Sequence, residues 1–395
     1  MKNLTLKESS PFLLSALSGV LLVLVFPRYN VEPLAWFALI PLFSALEAKT
    51  PQRSALFGFI TGMIFYTWGL HWVNNTLIHY GNLPPIISFM VLGLLASYLS
   101  FYTALFCYLI KRVCKENPVS LFLFAPVLWT ALEYLRSTHS EYGFSWLGLG
   151  YSQFQTLPII QMADITGVYG ISWLIMLVNV GIYLAWKTGS KPEEKNMAVR
   201  FLSVTALTFS LCWGYGSFAL KQDLPENKST LTIGLIQGNI EQFMKWNPVH
   251  QSQVINTYRD LTLEAAKSKP QLIVWPETAM PFYYQESAGG TQFIQELARQ
   301  AQTPLLFGSP HRENRDGHTI HYNSAYLVSE LGTTQNRYDK VHLVPFGEFV
   351  PFRKILFFVE KMVEMIGDFG RGEKAEPFKV AGYLAGVSIC YELIF

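Results

Sequence analysis

Three short segments put a carboxylate, an ammonium and a thiol where they can act together on a carbonyl carbon. Val274-Trp275-Pro276-Glu277 places a carboxylate just past an apolar, strand-like run, the position where α/β folds keep reactive groups. Tyr338-Asp339-Lys340 is followed by Leu343-Val344-Pro345-Phe346-Gly347-Glu348-Phe349-Val350-Pro351, and Gly386-Val387-Ser388-Ile389-Cys390-Tyr391-Glu392 closes another apolar run. A glutamate after a strand is, taken alone, ordinarily a solvated loop residue; the lysine and the cysteine supply its company. A free thiol titrates near ~8.5 and only its thiolate attacks well, so it needs a base or a cation beside it. Glu277 fits the base. Lys340 fits an electrophilic role, its ammonium facing the charge that develops on a tetrahedral carbonyl oxygen, with a backbone N–H near Tyr391 assisting. The intermediate of such chemistry is a thioester on Cys390.

Further groups stand near these three in the sequence. Glu348 either orients Lys340 or relieves an incoming amine of its proton, and Glu392 holds Lys340 or a loop by an ion pair. The plain alternative for both is a surface carboxylate beside aromatic residues. Trp246, in Met244-Lys245-Trp246-Asn247, covers the thioester pocket or lines the path of a chain leading to it; a half-buried tryptophan at a domain seam is the competing reading. The other cysteines, Cys107, Cys114 and Cys212, lie in or beside apolar runs, where a thiol behaves as a small hydrophobe. No pair has the spacing of a zinc site or a redox motif, and neither a metal nor a structural disulfide is expected.

The elements that must position these groups are of two kinds. Half of the 395 residues are hydrophobic, 15% are charged and mean hydropathy is +0.23, a balance that leaves too much apolar surface for a water-soluble globule. Apolar stretches long enough to cross a bilayer, ~17–25 residues, run near 11–27, 54–73, 84–110, 119–135, 167–186 and 197–219. A shorter one, 33–46, is counted as a seventh span, with a re-entrant or interfacial segment as the alternative. The net charge of +2 is spread over both signs and offers no concentrated basic face for a nucleic acid.

Lysine and arginine mark the cytoplasmic loops. Lys2 and Lys7, then Lys49 and Arg53, then Lys111, Arg112 and Lys115, then Lys187, Lys191 and Lys195 fall on one side, and the intervening connections carry only Arg28 and Arg136. The first apolar run reads as a retained helix, lacking the cleavage site of a removed signal peptide. Everything after Leu220 is expected on the outer face. Residues 1–220 are thus a transmembrane helical domain, 221–230 a polar linker and 231–395 an α/β domain, with strands near 231–237, 271–275, 304–308, 323–328 and 383–390 and helices over 250–268 and 353–366. The stretch 352–369 has a helical apolar period and suits an amphipathic arm in the membrane interface, or an ordinary core-facing helix.

The ordered trio of Glu277, Lys340 and Cys390 in these motifs resembles the nitrilase, or carbon–nitrogen hydrolase, superfamily. The fuller strings, together with the N-terminal spans and Glu133-Tyr134-Leu135-Arg136 followed by Gly143 to Gln153, resemble the apolipoprotein N-acyltransferase family, in which a proline often stands in place of Ser145. The resemblance implies a polytopic helical membrane domain followed by a nitrilase-like α-β-β-α sandwich. It implies Glu277, Lys340 and Cys390 as the catalytic triad, with Trp246, Glu348, Tyr391 and Glu392 supporting. It implies transfer of an acyl chain from a phospholipid, through the Cys390 thioester, to the N-terminal amine of a diacylglyceryl-modified apolipoprotein at the bacterial inner membrane, without nucleotide, metal or diffusible cofactor. It also implies more of the sandwich and a final span after Phe395, so that this domain is expected to be incomplete at its C-terminal end. A membrane-tethered amidase that hydrolyses a small amide with the same trio is the enzymatic alternative. A transporter reading finds no run of intramembrane charge and no inverted repeat to support it.

Overall fold

A computed structural model describes residues 6–79, 81, 83–138, 143–190, 192–222, 230–245, 247–315, 317–344, 347–349, 369–374 and 376–394. The chain divides into two compact units, Met1–Leu224 and Pro225–Phe395.

The first unit is helical: α1 (Leu6–Val25), α2 (Ile40–Ala45), α3 (Pro51–Gly69), α4 (Trp72–His79), α5 (Pro85–Cys114), α6 (Pro118–Thr138), α7 (Leu157–Ile160), α8 (Ala163–Gly189) and α9 (Lys195–Ala219). Prolines open several of these helices, where a missing N–H costs nothing. Thr50 caps α3 by accepting from the Arg53 N–H, and Asn117 caps α6 by accepting from the Ser120 N–H. Among the described residues four helices, α5, α6, α8 and α9, are long and apolar enough to cross a membrane, and a fifth span arises if α3 and α4, bent by 52° at their junction, count as one. Their outward residues, such as Ile86, Phe89 and Leu94 on α5 and Leu207, Leu211 and Phe218 on α9, are large, apolar and exposed; hydrocarbon is the solvent such a surface needs. Buried α8 forms the centre, with Ile171, Leu174, Ile175 and Val180 at 2% exposure or less. It kinks at Gly167, whose φ of 62° lies in the left-handed region, close to where the sequence pattern starts the span.

Small residues let α3 and α5 approach closely. A Cβ on Gly58 would stand 2.6 Å from the Thr103 carbonyl oxygen, and one on Gly62 would stand 2.8 Å from Ser100 Cα. This is the small-xxx-small contact of helices packed in lipid.

The 33–46 stretch differs from the single short span expected. It is a 3₁₀ turn, Glu32–Trp36, followed by the six-residue α2, and 14 residues of even ideal helix would reach only ~21 Å of a ~30 Å hydrocarbon core. Its broken backbone is satisfied by side chains of neighbouring helices. Asn179 of α8 accepts from the Leu39 N–H at 2.9 Å and donates to the Ala35 carbonyl at 2.8 Å, and Ser18 of α1 accepts from the Leu42 N–H. The Glu133-Tyr134-Leu135-Arg136 motif lies on α6 and pins the loop that follows: Glu133 accepts from the Leu149 N–H at 2.7 Å, and Arg136 donates to the Trp146 carbonyl at 2.8 Å.

The second unit is built on a mixed sheet of order β1 (Ile233–Leu235), β2 (Leu272–Val274), β3 (Leu305–Arg315), β4 (His318–Val328), β5 (Thr334–Asp339). The first three strands are parallel and the last two pairings antiparallel. After the one-turn α10 (Gln242–Lys245), α11 (Gln251–Ala266) and α12 (Ala288–Ala301) supply the two crossovers that parallel strands require. The period-two alternation of strand side chains divides the core. Ile273, Phe307, Tyr326 and Val328 meet Val254, Tyr258, Ile294 and Leu297 of the helices. On the opposite face Leu272, Ala325, Leu327 and Tyr338 meet Phe378, Val380 and Ile389. That second face is covered by the hairpin of β6 (Phe378–Val380) and β7 (Tyr383–Ala385).

The expected strand over 383–390 ends at Ala385, and Cys390 instead opens a 3₁₀ turn, Cys390–Ile394. The reason is local: the Ile389 N–H is taken by the Glu392 carboxylate at 2.8 Å, and Cys390 holds a φ of 52°, neither of which suits a ladder. The proposed arm, apart from Phe369, lies outside the described residues.

Candidate active site

Glu277 sits three residues past β2. Its loop is forced into shape by Thr278, whose φ is 47°, and by a close approach of β3: a Cβ on Gly308 would fall 2.3 Å from the Thr278 nitrogen and 2.9 Å from Glu277 Cα. Trp275 anchors the strand end from the other side, buried against Tyr258 and Phe307 and donating its indole N–H to Thr262 at 3.0 Å.

Lys340 is the first residue after β5, with 1% of its side chain exposed. Its backbone N–H continues the pairing with β4 by donating to the Asn323 carbonyl at 2.9 Å. Its ammonium lies 2.9 Å from each oxygen of Glu348 and 3.9 Å from Glu277 Oε1. Glu348 is itself fixed, accepting from the Val344 N–H at 2.9 Å.

Cys390 is the exposed one of the four free cysteines. Its thiol lies within the fields of the Glu277 carboxylate and the Lys340 ammonium. Burial of the sulfur and the nearby Glu277 charge push the thiol above its ordinary value, while the Lys340 ammonium and the Tyr391 N–H pull the other way. The left-handed φ of Cys390 is uncommon for a non-glycine residue and costs ~1–2 kcal/mol; it turns the side chain out of the line of the preceding segment.

The neighbouring Glu392 does not hold Lys340. Its Oε1 accepts from the Tyr338 hydroxyl at 2.7 Å, the Val341 N–H at 2.7 Å and the His342 N–H at 3.0 Å, and its Oε2 accepts from Ile389. It braces the segment carrying Lys340 against the turn carrying Cys390, by hydrogen bonds rather than an ion pair. Tyr391 is buried, which pushes its hydroxyl up to about 12. Glu277, Lys340, Glu348, Cys390, Tyr391 and Glu392 thus gather in one place, whereas Trp246 lies outside the described residues.

Sequence reasoning missed Asn323. It lies within β4, 7% exposed, and its amide nitrogen donates to Glu277 Oε1 at 2.6 Å and to Glu348 Oε1 at 3.0 Å. One NH₂ group therefore bridges the two carboxylates and fixes their spacing around the lysine. Asparagine is depleted in strands, so one set among Tyr322, Ala325 and Tyr326 was the available signal.

The arrangement holds a thiol, a carboxylate whose charge acts on it and a buried ammonium, the set needed to make and break a thioester. Among the described residues no group of three or more His, Cys, Asp or Glu could hold a metal ion.

The chain matches two family models in succession. Residues 18–181 match the family model described as the apolipoprotein N-acyltransferase N-terminal domain, and 232–395 match carbon–nitrogen hydrolase. The chain is 41% identical over 386 residues to an apolipoprotein N-acyltransferase of Geobacter metallireducens, a match covering 97% of this chain and 73% of that one. It is 32% identical over 392 residues to one of Vibrio cholerae, covering 97% and 74%. Among solved structures, an amidase from Nesterenkonia sp. AN1 is similar at 20% identity and a TM-score of 0.30, over 41% of this chain and 58% of that chain. By its identity to these relatives along nearly its whole length, the chain belongs to the apolipoprotein N-acyltransferase family.

Proposed function

We propose that this protein takes an acyl chain from a phospholipid and places it on the N-terminal amine of a diacylglyceryl-modified cysteine in an apolipoprotein, with Cys390 as nucleophile, Glu277 as general base and acid, and Lys340 as the oxyanion partner. One observation carries this reading: the Lys340 ammonium, held by Glu348, lies 3.9 Å from Glu277 Oε1, and the charges of both Lys340 and Glu277 act on the Cys390 thiol.

In the first half-reaction Glu277 takes the thiol proton as sulfur attacks the ester carbonyl. Negative charge gathers on the carbonyl oxygen, opposite Lys340 and the Tyr391 N–H. Collapse breaks the ester C–O bond, Glu277 returns the proton to the departing lyso-phospholipid oxygen, and the acyl group remains as a thioester on Cys390. In the second, the incoming ammonium loses one proton to Glu348, the amine attacks the thioester carbonyl, the tetrahedral intermediate gives its second nitrogen proton to Glu277, and collapse breaks the C–S bond to leave an amide and a thiolate, which takes that proton back from Glu277. Asn323 keeps the two carboxylates apart and oriented throughout. The amidase alternative uses the same residues, but identity to N-acyltransferases extends through the membrane unit, which a small soluble amide does not require.

We further propose that residues 225–395 face outward from the cytoplasmic membrane. The support is the cluster of Lys187, Lys191 and Lys195 from the end of α8 to the start of α9: positive loops stay inside, and α9 crosses once from there.

Replacing Cys390 by alanine tests the chemistry. The variant is expected to insert normally yet transfer no acyl group above background, and Lys340→Met is expected to form acyl-enzyme at least ~100-fold more slowly. Measurable transfer by the alanine variant contradicts the thioester route.

A further inference from the structure

Lys245 is a cation at the site for which the mechanism above has no use. It closes α10, and its ammonium donates to the main-chain oxygen of Glu277 at 3.1 Å, so it stands at the same strand end as the proposed base. The two lysines keep different company. Lys340 is buried and neutralised by both oxygens of Glu348. Lys245 is half-buried, and among the described residues no carboxylate oxygen lies within 4.0 Å of its ammonium. Its one described partner is an uncharged carbonyl oxygen. Burial pushes the ammonium below the ordinary lysine value, with the Glu277 charge opposing. A partly desolvated cation without an anion gains most from a ligand that brings one.

A phospholipid brings one. Its phosphodiester carries a negative charge on the same glycerol that bears the ester under attack. Lys340 cannot serve that charge, since it is enclosed and already paired. We propose that Lys245 binds the phosphodiester of the acyl donor while the donor's ester lies at Cys390, so that the site favours esters carrying an anionic phosphate over neutral ones. This inference rests on the phospholipid-donor reading.

The test measures acylation of the full-length protein in detergent without acceptor, using a phosphatidylglycerol and, separately, p-nitrophenyl palmitate, a neutral ester. In this single-turnover reaction Lys245→Met is expected to raise the half-saturating phospholipid concentration about tenfold, with the maximal acylation rate changed less than about twofold and the half-saturating concentration of the neutral ester raised less than about twofold; tenfold corresponds to ~1.4 kcal/mol, in the range of a charge-assisted hydrogen bond. Lys245→Arg keeps the charge and is expected to behave as the parent. Equal losses with both donors would overturn the proposal, because they would mean that Lys245 only supports the Glu277 loop; so would no loss with either. If the parent itself is acylated by the neutral ester but never by phospholipid, the donor reading fails first and this inference falls with it.

Discussion

Cys390 stands between opposing charges, and the order of those influences has measurable consequences. Burial and the Glu277 carboxylate raise the thiol, and Lys340 and the Tyr391 N–H lower it. A neighbouring negative charge disfavours the thiolate, so removing it must lower the titration point. Glu277→Gln, which keeps the shape and discards the charge, is therefore expected to shift the pH midpoint of Cys390 alkylation by iodoacetamide downward by about one unit. Acyl transfer in the same variant is expected to fall by ~10²–10⁴, because the base is gone. Lys340→Met is expected to move the alkylation midpoint upward. A midpoint that stays in place or rises in Glu277→Gln would show that the two groups do not share the field the geometry implies. Asn323 belongs at this scale as well. Its one amide nitrogen serves both carboxylates, so its loss perturbs two acids at once.

At the scale of elements, the site depends on close backbone approaches that only a residue without Cβ permits. Gly308 on β3 lies against the Glu277–Thr278 backbone, and the atoms a new Cβ would meet there are main-chain atoms, which cannot swing aside. Gly308→Ala is expected to displace the Glu277 loop and reduce kcat by ~10–100-fold while the protein still folds. A melting curve and steady-state kinetics on one preparation check this, and parental kcat in the variant would contradict it.

The same elements show what the sequence discloses and where it stops. Glu277 and Cys390 could be read because each follows a short apolar run, Lys340 because it stands just before the Leu343 to Pro351 string, and the span-forming helices because lipid-facing residues are apolar without interruption. The 33–46 stretch misled because apolar composition alone does not separate a helix from a broken segment whose Leu39 and Leu42 N–H groups bond to Asn179 and Ser18. Cys390 was read at a strand end, but the contact of Glu392 with the Ile389 N–H makes that end a turn. α12 and β5 escaped notice, the first because of its polar exposed face and the second because Thr334–Arg337 are mostly exposed and polar. Asn323 depends on partners 46 and 25 residues away in the chain, and no local pattern carries such a pairing.

For the whole molecule, cysteine exposure offers a test of sidedness. Cys107 and Cys114 are buried, Cys212 is partly covered and Cys390 is exposed. A membrane-impermeant maleimide applied to intact spheroplasts is expected to label Cys390, and Cys390→Ala is expected to lose that label. Labelling only after lysis would place the 225–395 unit inside. The proposed chemistry joins two lipid-anchored molecules, and a unit of long apolar helices next in sequence to a thiol site suits substrates that do not leave the bilayer. Mass spectrometry of the full-length protein incubated with phospholipid and no acceptor decides whether the thioester exists. The proposed mechanism requires an added acyl mass on the peptide containing Cys390, lost on treatment with hydroxylamine and absent from Cys390→Ala. An unmodified Cys390 in folded protein with phospholipid present, or an acyl group mapped to another residue, would contradict it.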